Sequence, residues 1–200
     1  VMAIQLVKEM GGLPVAVVSS EERGEHCKRL GAVGYIDRGD YDHWGVMPSW
    51  SDDEPYGRWL KGARAVGRAV WDAVGERKSP RIVFEHPGED TMPTSLFVCD
   101  TGGMVVICAG TSGYNITADL RYHWIRQKRL QGSHAANNAE AAALNRLVAD
   151  GKIDPCLSQV FTFQDIPLAN QLMHDNRHPP GNMAALVGAP REGLTGLSGA

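Results

Sequence analysis

The chain has 200 residues, of which 43% are hydrophobic and 22% charged, and a formal net charge of -3. That balance suits one globular domain, or one domain with a piece of another, and it lacks the basic excess of a nucleic-acid binder. No apolar run approaches the roughly 20 residues that cross a bilayer. The short apolar residues 1–7 lack a basic start and a cleavage site, so a cytoplasmic protein with no membrane partner is expected.

The chain opens in a helical pattern, with Ile4, Val7 and Met10 on one face, and Gly11-Gly12 ends it. Residues 13–18 form a continuous apolar run, as a buried parallel strand requires, closed by Ser19-Ser20. A helix over 21–30 stops at Gly31, and residues 33–37 read as a second strand. Residues 40–55 are polar, rich in Trp, Asp and Ser, and read as an insertion loop. Leu60, Ala63, Val66 and Val70 repeat on one face of a helix over 56–75. Next come a strand over 81–85, a short helix over 90–99, and a strand over 104–110 entered by Gly102-Gly103. Residues 111–115 are a polar loop, followed by a helix over 119–129, a short strand over 130–134 and an Ala-rich helix over 135–150. Beyond a linker at 152–155, a strand over 158–163, a helix over 167–175 and a strand over 182–187 precede a loose Gly-rich stretch at 189–200.

This alternation predicts an α/β fold with a Rossmann-type parallel sheet. Such a domain normally begins with a strand and a Gly-rich turn leading into its first helix. Neither precedes the opening helix here, so the first strand and turn are expected to be missing. Cys27, Cys99, Cys108 and Cys156 form no CxxC pair. They are expected to be reduced and mostly buried, with Cys27 partly exposed and no zinc site.

In open parallel sheets, ligands bind outside the carboxyl ends of the strands. That rule picks out Ser19, Ser20, Arg38, the segment Glu85-His86-Pro87, and Gly110-Thr111-Ser112. An acidic residue at the end of the second Rossmann strand selects NAD. Here Ser19 and Ser20 stand there, with Arg23 and Arg38 near, and hydroxyls and guanidinium groups suit the 2′-phosphate of NADPH. The plainer alternative is a Ser20 helix cap with Arg23 as a solvated charge; Glu21 and Glu22 lean that way. The small side chains of Cys108-Ala109-Gly110 leave room for a flat ring, or simply make a turn. His86 and His134 can each be structural or catalytic, and Glu85 has no obvious partner. Arg121-Tyr122-His123-Trp124 can bind an anionic, adenine-bearing ligand or can simply pack a helix.

Four motifs in order, Phe84-Glu85-His86-Pro87-Gly88, Cys108-Ala109-Gly110-Thr111-Ser112-Gly113-Tyr114, Arg121-Tyr122-His123-Trp124 and Gly132-Ser133-His134, carry a family signal. Together they resemble the crotonyl-CoA carboxylase/reductases of the medium-chain dehydrogenase/reductase superfamily. The resemblance spans nearly the whole chain, including the insertion near 40–56. It implies an NADPH-binding Rossmann domain over 1–150 and a segment over 151–200 that returns to a GroES-like catalytic domain. It also implies hydride transfer from NADPH to C3 of an α,β-unsaturated acyl-CoA, forming an enolate whose C2 attacks CO2 or takes a proton. His134 then corresponds to a histidine that helps hold CO2. Arg121 and Tyr122 correspond to residues that contact CoA, and Ser20, Arg23 and Arg38 fit the 2′-phosphate. Ala135 replaces a usual Phe, Thr101 a frequent Lys, and Asn115-Ile116-Thr117 the usual acidic and aromatic residues. These departures leave the reductase reading intact and bear on carboxylation. The competing expectations are a non-carboxylating enoyl-CoA or quinone-type reductase, and a nucleotide-binding module inactive by itself. A homo-oligomer, dimer or tetramer, paired near residues 130–134 is expected, and the chain alone is expected to show no turnover.

Overall fold

The computed structural model describes residues 1–179 and 181–188. Two compact units form: Gly11–Ala136, and a second made of Val1–Met10 with Asn137–Ala200. The loose stretch expected at 189–200 lies outside the described residues.

The larger unit holds β1 (Val15–Val18), α2 (Glu21–Arg29), β2 (Gly34–Asp37), α3 (Asp53–Val74), β3 (Ile82–Glu85), α4 (Met92–Val98), β4 (Met104–Ile107), α5 (Arg121–Trp124) and β5 (Arg129–Gly132). The other holds α1 (Met2–Glu9), α6 (Asn138–Ala149), β6 (Leu157–Thr162), α7 (Ile166–His174) and β7 (Asn182–Leu186). Every ladder is parallel: β1 with β2, β4 between β3 and β5, and β6 with β7. The α/β parallel class read from the sequence is therefore correct, but the hydrogen bonding is divided among three ladders.

The core of the larger unit gathers on α3 and α4. Ile36 packs with Val66 and Val70, and Met47 with Trp59 and Ala63. Met92, Leu96 and Cys99 close over the fully buried Val105 of β4. A buried aliphatic side chain of this kind contributes roughly 1.5–3 kcal/mol. Gly34 is required here, because a Cβ would stand 2.8 Å from that of Ala73 on α3. Val17, Ile82 and Phe84 lie on the alternate face of their strands and remain exposed, against the expectation of strands buried on both faces.

Several boundaries differ for physical reasons. α3 begins before Pro55 because proline is tolerated in the first turn, where its missing N–H has no helical partner. Trp59 takes the buried position expected of Leu60. Of the expected apolar face on the opening helix, Val7 and Met10 are exposed and Ile4 is half-buried, while the buried residue of α1 is Gln5. Its amide donates to the Asp154 carbonyl at 2.9 Å and accepts from the Asp154 N–H at 2.7 Å. The helix expected over 119–129 is only α5, because Gln127 adopts a left-handed φ of 50° and ends the turn. The Ala-rich helix starts at Asn138, behind a capping box between Asn137 and Glu140. Of the cysteines, Cys99 and Cys156 are buried, Cys27 is intermediate and Cys108 is exposed, so fewer are buried than expected.

Lys128 is 5% exposed, and its amine donates to the carbonyls of Leu96 at 2.5 Å and Phe97 at 3.1 Å. Burial pushes that amine down to about 8 from its ordinary 10.5. Between those values the folded chain binds fewer protons than the unfolded one, so stability rises with pH across that window. Comparing denaturant midpoints of wild type and Lys128→Met from pH 8 to 10.5 should show a gap that grows in favour of the wild type. A pH-independent gap would contradict this.

Candidate functional site

In a parallel ladder, paired residues lie level, so the residues that follow them emerge side by side. Glu85 pairs with Ile107, and Ile107 with Gly132. His86, Cys108 and Ser133 therefore leave one ladder at the same end. The backbone keeps them in step, since Cys108 N–H donates to the Glu85 carbonyl at 3.3 Å and Ser133 N–H to the Ile107 carbonyl at 2.9 Å. At the other ladder Val18 pairs with Asp37, which sets Ser19 and Arg38 level in the same way. Ser19, Arg38 and His86 match the expected strand ends, whereas Cys108 and Ser133, expected within strands, follow β4 and β5.

Ser20 caps α2 by accepting from the Arg23 N–H. Arg23 also reaches back, its guanidinium donating to the Ser19 hydroxyl at 3.1 Å. The Ser20 cap of the plainer alternative is thus present, and Arg23 is exposed. Arg38 opens a single turn, Arg38–Asp40, and its carbonyl accepts from the Trp44 indole at 3.0 Å. This donor set carries hydroxyls and guanidinium groups and no carboxylate at the end of β1, which fits a phosphate.

The loops after β3 and β4 are knitted together. The Ser112 hydroxyl donates to the Pro87 carbonyl at 2.9 Å and accepts from the Asp90 N–H at 3.1 Å. Gly88 bridges Gly113. A Cβ on Gly88 would stand 2.8 Å from the Gly113 carbonyl, and one on Gly110 3.0 Å from the same oxygen. Glycine at both positions lets the backbones meet. His86 and Cys108 are exposed here, with Ala109 and Gly110 half-buried. Glu85 was read as partnerless; it is instead buried and accepts from Gly88, Thr91 and Ser95. His134 is exposed, and among the described residues its ring has no hydrogen-bond partner.

Arg121 and Tyr122 sit apart from these strand ends, beside the insertion loop. The Arg121 Nε donates to both oxygens of Asp119, at 2.9 and 3.1 Å. Tyr56 donates to Asp119 at 2.7 Å. Tyr122 packs edge-on against Phe97, with ring centroids 4.7 Å apart. Trp50 lies 5.7 Å from the Arg121 guanidinium. Met47, Trp50, Leu120 and Arg121 line a cleft of about 730 Å³. Asp119, Tyr56 and Trp50 escaped the sequence reading. The Asp-x-Arg spacing was a usable signal for Asp119, whose carboxylate also accepts the Arg121 N–H at 3.0 Å. Nothing local marked Trp50.

Among the described residues no group of three or more His, Cys, Asp or Glu is placed to hold a metal ion, and no helix is long and apolar enough to cross a membrane.

Hydrogen bonds from Arg121, helped by Tyr56, hold the Asp119 carboxyl down at about 2 against an ordinary 3.8. Its contribution to stability is complete above pH 3.8 and is lost as pH falls through about 2. Because Arg121 is half exposed, that contribution is modest. In acid titrations followed by circular dichroism, Asp119→Asn should flatten the limb between those values. An unchanged limb would refute the pairing.

The profile of the family described as zinc-binding dehydrogenase matches residues 1–150. A crotonyl-CoA carboxylase/reductase of Cereibacter sphaeroides is 50% identical over 192 residues, covering 96% of this chain and 44% of that protein. A solved crotonyl-CoA carboxylase/reductase in complex with NADP superposes with a TM-score of 0.88 at 61% identity, over 94% of this chain and 47% of that one. A 2-octenoyl-CoA carboxylase reductase in complex with NADP and 2-octenoyl-CoA gives a TM-score of 0.77 at 38% identity, over 96% and 42%. The chain spans less than half the length of these relatives. The chain belongs to the zinc-binding dehydrogenase family, and its likeness to the crotonyl-CoA carboxylase/reductases runs over 96% of its length.

Proposed function

We propose that this chain carries the NADPH-binding surface, and part of the acyl-CoA surface, of an enoyl-CoA carboxylase/reductase. The observation that carries this reading is the pair of level strand ends, one presenting Ser19, Ser20, Arg23 and Arg38, the other His86, Cys108, Ala109 and Gly110. The relatives bound to NADP support it. We assign residues 1–150 to nucleotide binding and 151–200 to the return toward a GroES-like catalytic domain.

The first shelf holds the 2′-phosphate through Arg23 and Arg38, with Ser19 and Ser20 donating hydroxyl hydrogen bonds. The second has small residues, Cys108, Ala109 and Gly110, that together with His86 would hold the carboxamide-bearing ring. Bound NADPH supplies a hydride to C3 of the α,β-unsaturated thioester. Arg121 and Tyr122 hold the CoA portion, with Asp119 fixing the guanidinium. His134 donates a hydrogen bond to the carboxylate that develops when C2 takes up CO2. The family name mentions zinc, and the described residues supply no ligand set for it.

One observation favours a second reading, a reductase that protonates C2 instead. Ala135 follows His134 at a left-handed φ of 58°, and both are exposed, so neither walls off water here. We place the enzyme in the cytoplasm, where its four free thiols stay reduced. We also propose a homo-oligomer joined through the edge of β5, whose residues are all exposed.

The complete protein, given NADPH and crotonyl-CoA with bicarbonate, is expected to form ethylmalonyl-CoA by mass spectrometry. Butyryl-CoA alone would select the second reading, and no oxidation of NADPH would reject both. His134→Ala should shift product toward butyryl-CoA by about tenfold. Arg23→Ala should raise KM for NADPH about tenfold and leave that for NADH unchanged. Equal effects on the two cofactors would remove Arg23 from the phosphate site.

A further inference from the structure

Glu85 is 3% exposed at the carboxyl end of β3, and its oxygens are filled by neutral donors. Oε1 accepts from the Gly88 N–H at 3.2 Å and from the Thr91 hydroxyl at 2.5 Å, and Oε2 from the Ser95 hydroxyl. Among the described residues no cation pairs with it. A buried carboxylate without a counter-ion is costly to hold, and well-packed apolar residues would serve stability as well or better. What this carboxylate does provide is geometry. Its donors stand on both sides of Glu89 and Asp90, so it ties the end of β3, the turn at Gly88 and the start of α4 into one piece. His86 and Pro87 are the short span between two of those ties. Ser112 and Gly113 then lean on Pro87 and Gly88, which passes the same geometry to the loop after β4.

We propose that Glu85 is a positioning residue of the cofactor site. It touches no cofactor itself and acts through the loop over 86–91 and the Gly110–Gly113 backbone packed on it. The inference rests on the reading above that the ring end of NADPH lies at Cys108, Ala109 and Gly110.

The test measures NADPH affinity of the complete protein by fluorescence titration, with thermal melts in parallel and at a temperature where each variant is folded by circular dichroism. Glu85→Gln keeps Oε1 for Gly88 and Thr91, and the Ser95 hydroxyl can turn to accept from the new amide. Its Kd should stay within about twofold of wild type. Glu85→Ala releases all three donors and should weaken NADPH about tenfold or more. Should Glu85→Ala fail to fold, Ser112→Ala decides, because that residue is exposed and only its two hydroxyl contacts between the loops are lost; about a threefold rise in Kd is expected. Lowered melting temperatures with an unchanged Kd in the folded variants would overturn the proposal, leaving Glu85 a purely structural residue. A wild-type protein that binds no NADPH would overturn the cofactor reading itself, and this inference with it.

Discussion

The parallel register of β3, β4 and β5 is the constraint on which the rest depends. Because Glu85, Ile107 and Gly132 lie in one row, three loops must begin at one level. β4 is the central strand of that row, and Val105 within it is fully buried against α4. A slip of one residue would turn Val105 out and carry the Gly110 turn away from Gly88. The same reasoning applies to β1 and β2, where the Val18–Asp37 pair sets Ser19 against Arg38. The side chains proposed for binding are thereby placed by strand pairing rather than by loop conformation.

That dependence explains what could be read in advance. β1, β3 and β4 were legible because a strand in a parallel sheet needs a nearly unbroken apolar run. The common level of the strand ends was legible because it follows from strand direction alone. α3 was legible by periodicity, apart from its start at Asp53, before Pro55, and the burial of Trp59. Other features depend on partners distant in sequence. Gln5 is buried because Asp154 answers both its amide groups, across 149 residues. Glu85 looked unpaired because Thr91 and Ser95 are ordinary hydroxyls until the start of α4 turns them inward. Trp50 gains meaning only when the insertion loop folds beside Arg121. The early end of α5 was hidden for a similar reason. Gln127 takes a left-handed conformation, and Lys128 is drawn beneath Leu96 and Phe97.

Each buried charge of the larger unit is answered, but in different ways. Asp119 has a cationic partner that is half in water, so the pair is adjustable. Glu85 and Lys128 have no ionic partner among the described residues and are satisfied by hydroxyls, an amide and two carbonyls. Groups held that way lose more when a neighbour shifts, because no other donor or acceptor is at hand.

These two lone charges act on the same element. α4 has only seven residues, too few to be stable as an isolated helix. Glu85 receives Thr91 and Ser95 at its amino end, and Lys128 donates to Leu96 and Phe97 at its carboxyl end. Negative charge at the first end and positive at the second is the sense in which a helix dipole is stabilised. One charge comes from the end of β3 and the other from the residue before β5. The short helix is therefore clamped between the strands that flank β4, and its Met92 and Leu96 press on Val105 from above. With α4 held at both ends, β3 and β5 cannot shift along β4 without breaking a buried polar contact. That coupling turns a pairing register into a fixed row of loop origins.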